Sequence, residues 1–493
     1  MPDPVNDRPI AGPDDLLAPY HAAQKPREQW RVGTEAEKFG VYVASGDPIP
    51  FDGNRGVAAV LRELVARHGW TPDQPENAGD PIIALHRANA SITLEPGGQL
   101  ELSGAPHATV HQTCSEFRGH MAELRDISTE FGITWLGIGF HPFAKLDELP
   151  WVQKPRYPIM RAYLPTRGQY AVDMMQRTST VQANYDYAST DDAVRKLRVS
   201  LILSPVLQAM FANSPFVEGR ATGERSHRAA VWLDVDNDRA GLLPFAWRDD
   251  AKIEDYIDWA LDIPMFVVKR DGKAKRATTH TFRTFLRDGF EGARATQADW
   301  ETHLNTLFPE VRLKRTLELR SVDAQQTPIL CALPALFTGV LYDDDALAKA
   351  EALASRIPYD AAVRARPAIA RDGLRAELAG RPLGEWASEL YAIGWAGLRA
   401  RAPRRGRRRR DRSPAAPRRA AREGAVAGRC AARQRRSEQG FSRAADRARP
   451  RLSGCRAASS RPGATEPFDV VRGERNDARV AGRHRDDEAD LAR

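Results

Sequence analysis

Cysteine is scarce in this chain of 493 residues, and closely spaced cysteine pairs are absent. Cys114, Cys331, Cys430 and Cys455 form no CxxC motif, so the sequence gives no sign of a zinc ribbon or of a thioredoxin-like redox motif. So few cysteines are typical of a reducing compartment, and we expect a cytoplasmic protein. Cys114 lies in a helical pattern and Cys331 in the apolar run CALPAL, so both are expected to be small core residues.

Long hydrophobic runs are also missing. Residues 1–29 are rich in proline, aspartate and other charged residues, and they lack the apolar segment of a signal peptide. No run of about 18 apolar residues occurs, so no membrane span is predicted. The 42% content of hydrophobic residues is nevertheless enough for a sizeable core, in one large or two ordinary domains.

Lysine is absent from the last part of the chain. Residues 398–493 contain 28 Arg and 12 Asp plus Glu, a local charge of +16, which leaves −8 for residues 1–397. An acidic body repels phosphate backbones, so nucleic-acid binding is not expected of it. We predict a folded domain at 1–397 and an Arg-rich, weakly ordered tail at 398–493. The tail has three open interpretations: a basic arm for nucleic acid or acidic partners, a solvated linker, and an out-of-frame translation of GC-rich coding sequence.

Helical and extended patterns alternate through the body without internal repeats. Pro205 is expected to kink or divide the helix in which it lies, because proline has no N–H to donate. The apolar spacing predicts helices at 14–24, 56–68, 106–131, 191–211, 330–342 and 346–354.

Acidic side chains alternate along two stretches predicted to be strands. In RVGTEAEKFGVYV, Glu35 and Glu37 point to one face, because successive side chains of a strand alternate between faces. In ASITLEPGGQLELSGAP, Glu95, Gln99 and Glu101 share one parity if residues 96–98 form a three-residue turn, which sets Glu95 opposite Gln99. A solvated strand explains one such pair, but several acids crowded on one face repel one another unless cations lie among them. Carboxylate and amide oxygens suit Mg²⁺, so this face is a candidate metal site.

Two more strands are predicted from the same alternation. STVQANYDYA puts Gln182, Asn184 and Asp186 on one face, where such groups suit either an amino-acid substrate or an ordinary wet sheet face. AVWLDVDNDRAG sends Trp232, Asp234 and Asp236 to one face of a fourth strand. Its run of aspartates superficially resembles a calcium loop, but the glutamate required at the twelfth position is missing, so calcium is rejected.

The stretch VRLKRTLELRSVD is predicted as a fifth strand. Its polar face carries cations on both sides of one acid, at Arg312, Lys314, Thr316, Glu318 and Arg320. A salt-bridged exterior is the usual explanation of this pattern. The same cations could equally clamp a triphosphate and stabilise a phosphoryl group during transfer.

Seven segments over residues 30–399 carry a family resemblance: VGTEAEKFG, ITLEPGGQLELSGAP, TSTVQANYDY, MFANSPFVEG, WLDVDNDRAGLLPFAW, THTFRTFLRDGF and FPEVRLKRTLELR. In this order and approximate spacing they resemble the motifs of glutamate-cysteine ligases of the plant and proteobacterial type. The resemblance implies an α+β fold similar to glutamine synthetase, with a curved antiparallel sheet that forms a funnel backed by helices. It also implies that residues 1–397 are a catalytic domain.

The reaction that the resemblance implies is the first step of glutathione synthesis. ATP would phosphorylate the γ-carboxylate of glutamate, and the amino group of cysteine would attack the resulting acyl phosphate. Glutamate, cysteine and ATP are then the expected substrates and Mg²⁺ the expected cofactor, because two anions must be neutralised as they approach.

The resemblance further implies roles for single residues. Lys314 and Arg320 are expected to contact phosphate as catalytic residues, and Arg228 to pair with the α-carboxylate of glutamate. The expected substrate-binding set is Gln99, Gln182, Asn184, Asp186, Asn213 and Arg228, and the expected metal-binding set is Glu35, Glu37, Glu95, Glu101 and Glu318.

The last motif departs from the family, which more often has LKRYLEMRGAD. The differences are at Thr316, Leu319, Ser321 and Val322, near the end of the site where the resemblance implies the nucleotide. The Arg-rich tail also replaces the C-terminal helices expected of the family. Two alternatives stay open: another carboxylate-amine ligase or kinase of the same fold, and a protein that binds nucleic acid or acidic partners through its tail. The sequence does not determine the oligomeric state.

Overall fold

Helices and antiparallel strands are mixed along the chain in this computed structural model, which describes residues 8–73, 81–154, 156–270 and 273–401. All of these residues belong to one unit, which spans Met1–Ala448. The predicted tail lies outside the described residues from position 402 onward. Its predicted start at 398 falls inside a helix that continues to Arg401.

The strands are β1 (Val32–Tyr42), β2 (Thr71–Pro72), β3 (Ala84–Arg87), β4 (Ala90–Leu94), β5 (Leu100–Ser103), β6 (Ile133–Leu136), β7 (Val181–Tyr185), β8 (Phe216–Val217), β9 (Arg220–Ala221), β10 (Ala240–Gly241), β11 (Val267–Arg270), β12 (Lys273–Arg276), β13 (Phe308–Pro309), β14 (Val311–Leu313), β15 (Leu317–Leu319), β16 (Glu377–Leu378) and β17 (Arg381–Pro382). One nine-stranded sheet has the order β14-β15-β7-β1-β5-β4-β3-β2, and β6 pairs with the far half of β1. All pairings in this sheet are antiparallel.

The helices are α1 (Pro13–Ala22), α2 (Val57–His68), α3 (Val110–Phe131), α4 (Tyr157–Tyr163), α5 (Ala171–Arg177), α6 (Thr190–Met210), α7 (His227–Val231), α8 (Ile253–Leu261), α9 (Phe282–Asp288), α10 (Gln297–Leu304), α11 (Ala332–Leu341), α12 (Asp344–Ala354), α13 (Tyr359–Asp372) and α14 (Leu383–Arg401). All six helices predicted from apolar spacing are present. The third begins at Val110 rather than at 106, because Thr109 and Gln112 form a reciprocal capping box.

Pro205 does not divide its helix. A kink or a division was predicted, and since helix α6 continues from Thr190 to Met210, the division does not occur. Proline leaves the carbonyl four residues earlier without its helical N–H partner. The Oγ of Ser204 donates to that carbonyl, on Leu201, at 2.8 Å, which replaces the missing hydrogen bond.

The fourth predicted strand is absent. Residues 230–239 form the end of α7 and a series of turns, so the prediction of a strand at Trp232, Asp234 and Asp236 is wrong. Only Ala240–Gly241, at the end of the stretch, is extended, as β10. Ser226 caps α7 through the N–H of Ala229. The buried Arg239 pairs with Asp236 three residues earlier at 2.6 Å and so fixes a turn where the alternation indicated a strand.

The fifth predicted strand is a hairpin rather than a single strand. Strands β14 and β15 pair with Arg312 opposite Glu318. Leu313 and Leu317 also face each other, so the turn between them contains three residues. A turn with an odd number of residues keeps the alternation of side chains between the two faces in step. The polar residues therefore share one face, although the prediction of a single strand was wrong.

The other face of the sheet is apolar and buried. Ala36, Ile92, Leu102, Ala183 and Leu319 are at most 1% exposed and belong to the main hydrophobic core. Helix α11 packs on this side, since the hydroxyl of Tyr185 on β7 donates to the carbonyl of Pro334 on α11. The prediction of an α+β fold with an antiparallel sheet backed by helices is confirmed. Within the described residues, no helix has both the length and the apolar content needed to cross a bilayer.

Candidate active site

Polar side chains form rows across the middle of the sheet, because the strands pair in register. Glu37 on β1 lies opposite Glu101 on β5, and Glu101 lies opposite Thr93 on β4. On the other side of β1, Glu35 lies opposite Gln182 on β7. Register therefore converts the parity seen in separate segments into one continuous polar face.

The turn between β4 and β5 extends this face. The N–H of Glu95 donates to the carbonyl of Gln99 at 2.9 Å, so residues 96–98 form the predicted three-residue turn. Gly98 has a φ of +79°, a conformation that favours glycine. At Gly97 a Cβ atom would lie 2.2 Å from the carbonyl oxygen of Gln176, so only glycine lets the turn approach the end of α5 so closely.

Glu37 and Glu101 are held in an environment that disfavours their charged form. Burial raises the pKa of Glu37 well above its ordinary value, and the charges of Glu95 and Glu101 raise it further. Burial and then Glu95 also raise the pKa of Glu101. Hydrogen bonds oppose this effect, since the N–H of Thr180 donates to Glu37 at 2.9 Å. The three carboxylates of Glu37, Glu95 and Glu101 therefore repel one another when ionised, and a cation among them would offset this repulsion.

Glu35 lies beside this pair. Burial, with the charges of Glu318 and Glu101, raises the pKa of Glu35 to about 8, while Lys314 and a 2.7 Å hydrogen bond from Asn184 act in the opposite direction. Glu35 therefore links the acidic part of the face to a group of cations on β14 and β15.

Glu318 has the opposite electrostatic setting. Its carboxylate is fully buried and accepts from both Nε and Nη2 of Arg312, at 3.0 and 2.9 Å. Lys314 lies 3.2 Å away, and Arg320 forms a further ion pair. Burial alone would raise the pKa of Glu318, but the three cations outweigh it and hold the pKa below its ordinary value. Glu318 thus orients cations in this structure, and its lone pairs are occupied.

A pocket opens on the polar face where the acidic and cationic groups meet. Arg228 reaches it from α7, with its guanidinium donating to the carbonyls of Arg320 and Ser321 at 3.0 and 3.3 Å. The Nε of Arg228 and the Oε1 of Gln99 are buried and have no hydrogen-bond partner among the described residues. The lining consists of Glu37, Glu95, Pro96, Gln99, Arg156, Tyr157, Met160, Met174, Met175, Thr178, Thr180, Arg228, Trp232, Asn305, Thr306, Phe308 and Arg320.

Most of the predicted site residues meet at this pocket or next to it. Five of them line it directly: Glu37, Glu95, Gln99, Arg228 and Arg320. Adjoining them on the polar face of the sheet are Glu35, Glu101, Gln182, Asn184, Lys314 and Glu318.

Two predicted substrate-binding residues make other contacts. The carboxylate of Asp186 accepts from Lys25 and from the N–H of Arg31, both at 2.7 Å. The amide of Asn213 donates to the carbonyls of Gly137 and Ala324, at 2.9 and 2.8 Å. Both side chains hold loops together, so their positions do not support a substrate-binding role.

The predicted metal-binding acids share a face but do not form a ready-made metal site. Within the described ranges, no three His, Cys, Asp or Glu side chains lie close enough to one another to hold one ion. The donor chemistry does suit Mg²⁺, because Glu37, Glu95, Glu101 and the unpartnered Oε1 of Gln99 are all oxygen ligands. Their side chains would have to draw together around the ion.

Sequence reasoning missed a basic and aromatic side of the pocket. Arg156 and Tyr157 line it. Lys154 is near them, where burial lowers its pKa against the opposing charges of Glu95 and Glu101. The segment WVQKPRY has no alternation, so the only available signal was two cations beside aromatic residues. Asn305 and Thr306 follow α10 directly, and no pattern in the sequence distinguished them.

The chain is similar to several curated plant proteins. It is 45% identical over 337 residues to a chloroplastic glutamate-cysteine ligase of Brassica juncea, an alignment that covers 68% of this chain and 64% of that protein. It is 42% identical over 391 residues to chloroplastic glutamate-cysteine ligase B of Oryza sativa subsp. japonica, covering 79% of this chain and 78% of that protein. The chain thus spans slightly less than two thirds of the length of the Brassica relative.

A solved structure of glutamate-cysteine ligase from Francisella tularensis in complex with AMP also matches. Its TM-score is 0.44 at 13% sequence identity, over 76% of this chain and 78% of that one.

The expected cytoplasmic location is wrong. The relatives at 42–45% identity are named as chloroplastic proteins, which contradicts that expectation. The expectation rested on cysteine content, which depends on the redox conditions of a compartment and does not distinguish one reducing compartment from another.

A family model matches most of the chain. The model of glutamate-cysteine ligase family 2 matches residues 31–448, which include every predicted site residue. The resemblance inferred from the seven motifs is therefore confirmed, and the chain belongs to glutamate-cysteine ligase family 2.

Proposed function

We propose that this protein joins the γ-carboxylate of L-glutamate to the amino group of L-cysteine at the expense of ATP, the first step of glutathione synthesis. The observation that carries the proposal is the single polar face on which strained acids lie next to buried cations. A reaction between a carboxylate and a triphosphate requires this combination, because both reactants are anions. Membership of the family and the names of the relatives supply the identity of the two amino acids.

Arg228 is the residue proposed to bind the α-carboxylate of glutamate. A guanidinium pairs with a carboxylate through two parallel hydrogen bonds. The buried Nε of Arg228 has no hydrogen-bond partner in the described chain, so one donor is available for a ligand at this pocket. Gln182 and Asn184 lie on the adjoining strand and remain proposed contacts of the substrate.

Lys314 and Arg320 are the residues proposed to contact phosphate. Glu318 holds both cations on the polar face by ion pairs, which fixes their positions before any ligand binds. In the first step an oxygen of the γ-carboxylate attacks the γ-phosphorus of ATP, the bond to the bridging oxygen breaks, and ADP leaves. In the second step the neutral amine of cysteine attacks the acyl carbon of γ-glutamyl phosphate, phosphate leaves, and the amine loses a proton to phosphate or to water.

Mg²⁺ is the proposed cofactor, held by Glu37, Glu95 and Glu101, with Glu35 and Gln99 beside them. When bound it would neutralise phosphate charge and offset the repulsion among the carboxylates. The residues of the chain supply the remaining functions, since Arg228 orients glutamate and Lys314 and Arg320 draw charge away from the transferring phosphoryl group.

The test is a comparison of amines in an ADP-release assay with glutamate, ATP and Mg²⁺. We expect cysteine to stimulate glutamate-dependent ADP release more than any other amine offered. Stimulation by a different amine, with no response to cysteine, would identify another carboxylate-amine ligase of the same fold and reject the proposal. The residues of the tail beyond position 401 lie outside the described structure, so the nucleic-acid alternative is tested by binding assays on the full-length chain.

A further inference from the structure

Asp323 is a buried carboxylate behind the pocket that the proposed reaction does not use. It lies four residues after β15 and is 3% exposed. Its Oδ2 accepts from the N–H of Asn213 and from the hydroxyl of Ser214, both at 2.7 Å. Its Oδ1 accepts from the hydroxyl of Ser226 at 2.8 Å. Three donors on two separate loops thus converge on one side chain.

Both serines in this network act on the helix that carries Arg228. The Oγ of Ser226 accepts from the N–H of Ala229 at 3.0 Å and so caps α7. The Oγ of Ser214 accepts from the N–H of Arg228 itself at 3.1 Å. Asp323 fixes the orientation of both hydroxyls, because each hydroxyl has a single proton and donates it to the carboxylate. The backbone of Arg228 is therefore held through Asp323.

The guanidinium of Arg228 is held by the same chain segment. It donates to the carbonyls of Arg320 and Ser321, which lie three and two residues before Asp323. This segment is fixed against β7, since the hydroxyl of Thr180 donates to the carbonyl of Val322 at 2.6 Å. One short segment thus determines the position of both ends of the Arg228 side chain.

Packing leaves little freedom around the carboxylate. At Gly139 a Cβ atom would lie 2.3 Å from the Cγ of Asp323, so the neighbouring loop is in close contact with it. Burial lowers the pKa of Arg228, and the charge of Asp323 opposes that effect. Hydrogen bonding, packing and charge all connect Asp323 with Arg228.

We propose that Asp323 is a positioning residue, which orients Arg228 for the carboxylate of the amino-acid substrate through the hydroxyls of Ser214 and Ser226. The proposal rests on the role given to Arg228 in the proposed function. A positioning residue and a purely structural acid differ in their effects. Loss of a structural acid would lower stability without affecting the recognition of one substrate, whereas loss of Asp323 should weaken the recognition of glutamate.

The main test is Asp323→Asn in the full-length protein. The amide keeps the size of the side chain, and serine hydroxyls can reverse to accept from it, so we expect a folded protein. We expect KM for glutamate to rise about tenfold, which corresponds to the loss of one hydrogen bond to a charged group. KM for ATP should be unchanged, and kcat should change by a smaller factor than KM for glutamate. Ser214→Ala, which removes only the bridge to the Arg228 N–H, should raise KM for glutamate by a smaller factor.

A double-mutant cycle with Arg228→Lys tests the connection. If Asp323 acts through Arg228, Asp323→Asn should add no further rise in KM to that of Arg228→Lys. The matched control is Asp299→Asn, because Asp299 is also buried, accepts from Thr296 at a helix cap and pairs with Arg270. It should lower the melting temperature and leave KM for glutamate unchanged.

The outcomes separate the two proposals. An unchanged glutamate KM in Asp323→Asn, or additive effects in the double variant, would overturn the role of Asp323 alone. If Asp323→Asn does not fold, an unchanged KM for glutamate in Ser214→Ala would likewise overturn the role of Asp323. If Arg228→Lys leaves KM for glutamate unaltered, the assignment of Arg228 in the proposed function is wrong, and the inference about Asp323 fails with it.

Discussion

The carboxylates on one face of this sheet differ in the charges that surround them. Glu318 is enclosed by Arg312, Lys314 and Arg320, which keep it ionised despite complete burial. Glu37 and Glu101 face each other across paired strands, and Glu95 adds a third like charge. Acids on one face therefore have two different settings: Glu318 organises cations, whereas at Glu37 and Glu101 burial and like charges outweigh the nearby cations.

The first prediction concerns Glu37→Gln and Glu101→Gln. Each variant keeps the shape of the side chain and removes one of the repelling charges, so the free energy of unfolding should be unchanged or higher. Mg²⁺-dependent ADP release should fall by at least about a hundredfold, the scale on which loss of a major electrostatic contributor acts. The measurements are urea unfolding and steady-state kinetics over a range of Mg²⁺ concentrations.

The matched control for these variants is Glu351→Gln. Glu351 pairs with Arg195 at a partly exposed position between helices α6 and α12, away from the pocket. It should leave turnover unaltered. Full activity in both Glu37→Gln and Glu101→Gln would show that these carboxylates do not hold the metal.

The second prediction concerns pH. The pKa of Glu35 is raised to about 8 from an ordinary 4.5, so between these values the unfolded chain has lost a proton that the folded chain retains. The contribution of Glu35 to stability is therefore complete below the lower value and is lost as pH rises toward the upper one, at up to about 1.4 kcal/mol per pH unit. Glu35→Gln removes this contribution, so the free energy of unfolding of the variant should fall less steeply between pH 5 and pH 8 than that of the unmodified protein.

Urea unfolding of both proteins in the presence of a chelator, at several values of pH, measures this difference. The chelator is needed because bound metal would displace the proton and hide the effect. Parallel pH profiles for the two proteins would mean that Glu35 is ionised throughout this range.

At the scale of elements, two hairpins build the site by the same device. The first, between β4 and β5, has a turn of three residues, 96–98, within the hydrogen-bonded pair Glu95 and Gln99. The second, between β14 and β15, has three residues between Leu313 and Leu317. Both therefore keep polar side chains on one face. The first turn depends on glycine, because Gly97 packs against the carbonyl of Gln176. Gln99, next to the same turn, donates to the carbonyl of Thr178 at 2.8 Å and so ties the hairpin to the chain that leads into β7.

The third prediction concerns this turn. Gly97→Ala places a methyl group 2.2 Å from a backbone oxygen, so the hairpin must shift and carry Glu95 and Gln99 with it. We expect a loss of roughly 1–3 kcal/mol in the free energy of unfolding and a fall in kcat/KM, measured by urea unfolding and ADP release. Gly119→Ala is the control, since Gly119 is an exposed helical position with open space around it. It should stabilise the protein by about 0.5–1 kcal/mol, and a similar gain in Gly97→Ala would contradict the argument.

Considering the protein as a unit, two of the helices behind the sheet contact each other backbone to backbone. Helix α11 packs on α14 with glycines at the contact, and a Cβ atom at Gly339 would lie 1.9 Å from the carbonyl of Gly394. Gly397 approaches the carbonyl of Gly339 with similar closeness. This contact includes the last described helix, so the folded body extends at least to Arg401.

The fourth prediction is that Gly339→Ala destabilises the whole protein without altering substrate recognition. The added methyl group must separate two helices that contact backbone to backbone, with an expected loss of roughly 1–3 kcal/mol. Thermal unfolding should show a lower melting temperature, while KM for glutamate below that temperature stays the same. Gly384→Ala, in the partner helix α14, meets its nearest neighbour at an ordinary 3.6 Å and should not destabilise the protein. A changed KM in Gly339→Ala would show that helix packing and the site are coupled.

Much of this protein could be predicted from its sequence, because the information was local. Alternation identified the faces of β1, β4, β5 and β7, and apolar spacing identified six helices, since both patterns repeat within a few residues. Local signals also misled, as at Asp236, where an ion pair with Arg239 closes a turn that alternation had indicated as a strand. The family followed from motifs that keep their order along the chain.

Which of these residues share one pocket depends on contacts between distant parts of the chain. Strand register brought Glu37 opposite Glu101 although 64 positions separate them, and no property of either segment fixes that pairing alone. Asp186 has the same parity as Gln182 and Asn184, yet Lys25 and the Arg31 N–H occupy its carboxylate. Side-chain chemistry and parity are properties of short segments, whereas neighbours and charge environment depend on how distant segments pack. For that reason the family and the polar face could be predicted from local patterns, whereas the composition of the site follows from the fold.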